Sequence, residues 1–112
     1  MATFLDSEDF ERIVDEPDAV RRAGLACRLY ADFEAGALDG KEVRAALSIF
    51  RAIARDRKVE TRARFARFVA ASRKLTRDLA CHMAADVPHV AVPVIKRSPV
   101  LDDGSLVDLC AS

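Results

Sequence analysis

Between Lys41 and Arg55 the chain reads KEVRAALSIFRAIAR, and its apolar residues fall on one helical face. Val43, Leu47, Phe50 and Ala54 stand at i, i+4, i+7 and i+11, with Ala46, Ile49 and Ile53 beside them. A stripe that wide has to be covered by other helices, so the spacing predicts a helix at about 40–55 inside a packed assembly. Asp39 followed by Glu42 predicts a capping box at its start.

The flanking segments repeat this grammar. Asp6 or Ser7 is expected to cap a helix at about 7–14. Pro17 suits the first position of a helix at about 17–36, whose apolar set is Val20, Leu25, Cys27, Leu29 and Phe33 and which Gly36 ends. Asp56 is expected to cap a helix at about 58–73 with Phe65, Phe68 and Val69 inward. A largely buried helix follows at about 75–86. Pro88 and the N-cap candidate Asp86 open another at about 88–96, and Asp102 or Asp103 opens a last one at about 103–111. Pro93 lies inside the sixth of these, where a proline removes a hydrogen bond and crowds the preceding turn. Ser98-Pro99 closes that helix. The expected fold class is all-α, with about seven short helices in irregular antiparallel pairs.

The 112 residues suit a single domain, 1–112, and 51% are apolar, enough for a core without disulfides or a bound metal. Charge is segregated within it. The acidic N-terminal part, 1–40, carries four basic and ten acidic side chains. The basic middle, 41–77, carries twelve and three, and 78–112 carries two and five, for a net charge of zero. Cys27, Cys81 and Cys110 form an odd set without CxxC spacing, read as reduced thiols in a cytoplasmic protein. The acidic start lacks the basic-then-apolar order of a signal peptide. The longest stretch without Lys, Arg, Asp or Glu, Val87 to Ile95, is too short to span a bilayer, so no membrane role is expected.

Two stretches resemble each other. ARDRKVETR at 54–62 and AADVPHVAVP at 84–93 both read Ala-x-Asp, two or three residues, then a Val opening a helix. The offset of about 30 residues is the length of a helix-pair repeat such as HEAT. In such units the Asp caps the second helix and the Val faces the stack.

The C-terminal half also carries a family pattern: a helix ending in Ala-x-Asp, a Val-Ala-x-Pro-Val segment, Ser-Pro, and an Asp-x-x-Leu helix. Its residues here are Leu79, Ala80, Asp86, Val90, Ala91, Pro93, Val94, Ser98, Pro99, Leu101, Asp103 and Leu106, with Val100 where leucine is usual. Over about 54–110 the chain resembles the bacterial domain-of-unknown-function 2336 family, whose members are typically much longer. The resemblance implies a HEAT-like helical scaffold and carries over no catalytic residues.

Chemistry is sparse in the pattern. Cys81, His82 and His89 lack the spacing of a metal site, since neighbours on a helix diverge by about 100°. Gly36, Gly40 and Gly104 read as turn residues. Ser48, Ser72 and Ser98 lack a His–acid partner set, and Asp102, Asp103 and Asp108 suit helix starts. No catalytic residue, metal or cofactor is expected. The candidate interaction face is Arg44, Arg51 and Arg55, aligned within about 40° on one helix, continued by Arg62 and Arg73 on the next, with Lys41 nearby. Such a face has three possible uses: pairing with the acidic N-terminal helices, docking a protein with an acidic surface, or binding nucleic acid. A non-catalytic scaffold or adaptor that binds another protein is the leading expectation, and a nucleic-acid-binding helical repeat is the alternative.

Overall fold

The computed structural model describes residues 7–101, which fold into six α-helices: α1 (Ser7–Val14), α2 (Ala19–Glu34), α3 (Gly40–Ala54), α4 (Val59–Val69), α5 (Arg77–Ala84) and α6 (Pro88–Arg97). The all-α class holds, with no strand among the described residues. Each expected helix up to residue 96 is present. The expected helix at about 103–111 with its Asp102 or Asp103 cap lies outside the described residues, as does Asp6, whereas Ser7, the other cap candidate, is the first residue of α1.

Local chemistry sets most ends. Asp39 accepts the Glu42 N–H at 2.8 Å, and the Glu42 carboxylate accepts the Asp39 N–H at 3.0 Å, forming the expected capping box of α3. α2 starts two residues later than Pro17, because the Asp18 carboxylate takes the Val20 N–H and makes Asp18 the N-cap. α2 ends at Glu34 with Ala35 as its C-cap, and Gly36 follows with a φ of 74°, open to glycine at little cost. There Gly36 N–H bonds Phe33 O, and Ala37 N–H bonds Asp32 O, closing a Schellman turn. α4 stops at Val69, so Arg73 lies in the α4–α5 connection and not on the helix expected to carry it. α6 runs through Pro93 to Arg97 without a break.

The helices pack in two layers. α2, α4 and α6 lie side by side in one, α1, α3 and α5 in the other, and α1–α2, α2–α3, α3–α4 and α5–α6 pack across the layers. Between them Tyr30, Phe50 and Phe65 form a ring cluster with centroids 5.0–6.1 Å apart, surrounded by Ile49, Ile53, Leu79, Met83 and Val94. On α3 the deepest residues are Ala46, Ile49, Phe50, Ile53 and Ala54. Val43 and Leu47, first in the periodic set, are half-buried at its edge.

Two apolar residues expected inside are outside. Phe68 is 53% exposed and Val20 41% exposed. The layer takes its inward face from Phe65 and Val69 on α4, and from the small Ala23 and Ala26 with Leu29 and Tyr30 on α2. With those positions turned inward, the helical period leaves Val20 and Phe68 outside.

Gly24 sits in the middle of α2, and a Cβ built there meets nothing within 4 Å. Gly24→Ala is therefore expected to raise stability by about 0.5–1 kcal/mol, the helix-propensity difference. A urea titration checks this, and an unchanged or lower midpoint would contradict it.

Candidate interaction surfaces

The polar interior is a ladder. Arg22 on α2 is fully buried, and its guanidinium meets Asp56 in a two-pronged pair, Nε to Oδ1 at 2.8 Å and Nη2 to Oδ2 at 2.9 Å. Its Nη1 donates to Glu16 O at 2.6 Å and Pro17 O at 3.2 Å, and Nη2 donates to Thr61 Oγ1 at 3.2 Å. All five guanidinium N–H groups are thereby satisfied. The Thr61 hydroxyl in turn donates to Ala19 O.

One step along the layer the arrangement recurs. Arg62 on α4 grips Asp86 through Nε at 2.8 Å and Nη2 at 3.2 Å, while its Nη1 donates to Asp56 O at 2.6 Å. Arg22 follows Glu16 by six residues, as Arg62 follows Asp56, and each occupies the fourth position of its helix. Glu16 and Asp56 also each accept the main-chain N–H two residues on. Asp56 and Asp86, expected as N-caps, instead precede the N-caps Lys58 and Val87 and receive the arginine of the preceding layer helix. Because the rungs join helix starts to helix starts, α2, α4 and α6 run parallel. Of the two valines expected to face the stack, Val90 is buried and Val59 is exposed.

Burial pushes the Asp56 carboxyl up, but the Arg22 hydrogen bonds and the Lys58 N–H outweigh it and hold it below the usual carboxylate value. Burial likewise pushes the Asp86 carboxyl up, and the Arg62 hydrogen bonds with the Val87 N–H outweigh it and hold it below the usual carboxylate value. A depressed folded-state pKa gives stability that is present above the unfolded carboxylate value, about 4, and lost as pH falls through the folded value. Tm is therefore expected to hold from pH 7 to about 5 and to fall below about pH 4. A thermal melt series in Asp56→Asn should show a shallower acid slope than the parent, and an identical slope would count against the assignment.

The ladder changes the expected arginine face. Arg62 is largely buried and committed to Asp86, and Arg73 lies off the helix, so neither extends the α3 row. On α3 Lys41, Arg44 and Arg51 are exposed along one stripe with Ser48 between them, and the exposed C-cap residue Arg55 follows them. Arg51 pairs with Asp78 of α5 at 3.3 Å, with both side chains open to solvent. Arginines of the basic middle thus pair with Asp78, with Asp86 and, from Arg64, with Glu60, while its Asp56 takes Arg22. At the foot of the row an open cleft of about 390 Å³ is lined by Ala54, Arg55, Arg62, His82, Ala85 and Asp86, with His82 Nε2 at 3.2 Å from Ala54 O. His89 is exposed, Cys81 is half-buried, and no cluster of three His, Cys, Asp or Glu side chains suited to a metal occurs among the described residues. Cys110 lies outside them.

The opposite layer bears a surface that the sequence pattern did not single out. A groove of about 410 Å³ between α2 and α4 is lined by Val20, Ala23, Gly24, Cys27, Arg64, Arg67 and Phe68. A smaller one, about 200 Å³, lies between α4 and α6, formed by Arg67, Val92, Pro93, Lys96 and Arg97. Burial pushes the Cys27 thiol up to about 11, so it is a protonated, weakly reactive wall of the first groove. No described helix is long and apolar enough to cross a membrane. Comparison with protein-family models, curated proteins and solved structures finds no match.

Proposed function

We propose that this chain is a HEAT-like helical-repeat scaffold, a non-catalytic cytoplasmic adaptor that binds a protein with an acidic surface. The repeated acid–Arg unit carries the repeat reading: Glu16 to Arg22 and Asp56 to Arg62 use the same six-residue spacing, the same 2.6 Å bond to the acid's carbonyl, and the same grip on the next acid. Stacked helix pairs of this kind build surfaces rather than enclosed pockets. The resemblance to the bacterial domain-of-unknown-function 2336 family belongs to this reading, with Leu79, Ala80, Asp86, Val90, Ala91, Pro93, Val94 and Ser98 forming the α5–α6 unit.

The binding face in this reading is the α3 row Arg44, Arg51 and Arg55, with Lys41 at its head. Cross-linking in cells followed by mass spectrometry should recover a specific partner. Arg51→Glu with Arg55→Glu should reduce that recovery at least tenfold at unchanged Tm, and undiminished recovery would remove the face from the proposal.

The nucleic-acid reading is favoured by one observation: the row is a line of cations with a serine and no large apolar side chain on its crest. Phosphate contacts need that and little more. Duplex binding at low salt that falls steeply as salt rises would support it. The absence of binding to duplex and single strands at 50 mM salt would eliminate it.

A further inference from the structure

The outer face of the α2–α4–α6 layer combines features that the fold itself does not require. Phe68 is the most exposed large apolar residue described, and Val20 and Val92 are each more than two-fifths exposed. Gly24 and Pro93, poor residues for a helix interior, both line this face. No neighbouring group explains the glycine, since a Cβ there enters open space. Breaches of local helix rules concentrate where function needs them. Here the glycine keeps the floor of the α2–α4 groove low. Arg67 borders both grooves, so they form one continuous surface.

Its rim is cationic. Arg67, Lys96 and Arg97 make no ion pair among the described residues, and Arg64 meets Glu60 at 3.3 Å with both side chains about half exposed. Phosphate backbones make no use of Val20, Phe68 and Val92. A bilayer takes up apolar side chains that project, whereas these line depressions between helices. A ridge of apolar side chains on a helix fits such a groove, and carboxylates flanking that ridge match the rim.

We propose that this face docks an acidic amphipathic helix of a partner protein, with its apolar ridge in the α2–α4 groove over Gly24 and against Phe68 and its carboxylates on Arg64, Arg67, Lys96 and Arg97. The proposal rests on the reading of the chain as a protein-binding scaffold but places a contact on the layer opposite the α3 row.

The test is selection of helical peptides from a random 16-residue display library against the folded chain, with affinities of the enriched peptides measured by calorimetry. The expected winners carry an apolar stripe at i, i+3, i+4 and i+7 with Asp or Glu on both flanks. Phe68→Ser and Gly24→Leu should each weaken them at least tenfold, and Arg67→Glu should do so in a second, independent variant. All three positions face solvent or open space, and a thermal melt verifies folding. Arg51→Glu with Arg55→Glu should leave these affinities unchanged, which separates this face from the α3 row. Vesicles of phosphatidylcholine with 25% phosphatidylserine and a 20-base-pair duplex form the remaining arms. No enrichment, winners indifferent to Phe68→Ser and Gly24→Leu, or Phe68-dependent binding of vesicles or duplex without peptide binding would each overturn the proposal.

Discussion

Arg22→Met is expected to destabilise the fold by about 3–5 kcal/mol, because it leaves the nearly buried Asp56 carboxylate without its counter-ion. Domains of this size have a total stability of about 5–15 kcal/mol, so the variant approaches the limit of folding at 37 °C. The loss is larger than for a surface pair because Arg22 satisfies five acceptor contacts on three segments: the α1–α2 connection, the α3–α4 connection and the first turn of α4. The pair itself is not a large net source of stability, since removing two charges from water offsets most of their attraction. The double variant Arg22→Met, Asp56→Leu is therefore expected to recover much of what either single variant loses. Urea titrations of the parent, both single variants and the double variant give the coupling directly. Additive losses would refute the account of a mutually dependent buried pair.

Pro93→Ala is expected to stabilise the protein by about 1–2 kcal/mol. Proline is the sixth residue of α6, has no N–H to offer His89 O, and lies in a helix that continues for four more residues. A helix-interior proline costs about 3 kcal/mol relative to alanine. Two effects offset part of that gain. Proline restricts the unfolded chain, worth about 0.4–1 kcal/mol, and its half-buried ring itself lines the groove shared with Arg67. The urea midpoint should rise with an unchanged m-value. A fall would mean that the ring's packing outweighs the missing hydrogen bond.

Helix positions were legible because caps and periodicity are local. Asp39 and Glu42 mark a helix start within four residues, and Gly36 marks an end. Long-range pairing is another matter. Asp56 and Asp86 sit where N-caps belong, so local reading assigns them to their own helices, whereas their guanidinium partners lie 34 and 24 residues upstream. Nothing nearby distinguishes buried Arg22 from exposed Arg21. The signal that separates them is the shared six-residue spacing of Glu16–Arg22 and Asp56–Arg62, visible only when the two segments are compared. The same limit affected the candidate face. Arg44, Arg51 and Arg55 were legible as one exposed row, but Arg62 resembles them in sequence and differs only in what stands opposite. Phe65 and Phe68 are three residues apart on a stripe flanked by arginines, so their pattern does not say which one faces the core.

The ladder has an end among the described helices. Ala91 is the fourth residue of α6, where α2 and α4 carry arginine. α4 is therefore fastened on both flanks, through Asp56 and through Arg62, whereas α6 is fastened by Asp86 alone. Neighbour-to-neighbour fastening of this kind makes resistance to opening a property of position in the stack. Amide protons of α4 should exchange only through global unfolding, while those of α6 should exchange through a cheaper, partial detachment that leaves the rest of the stack intact.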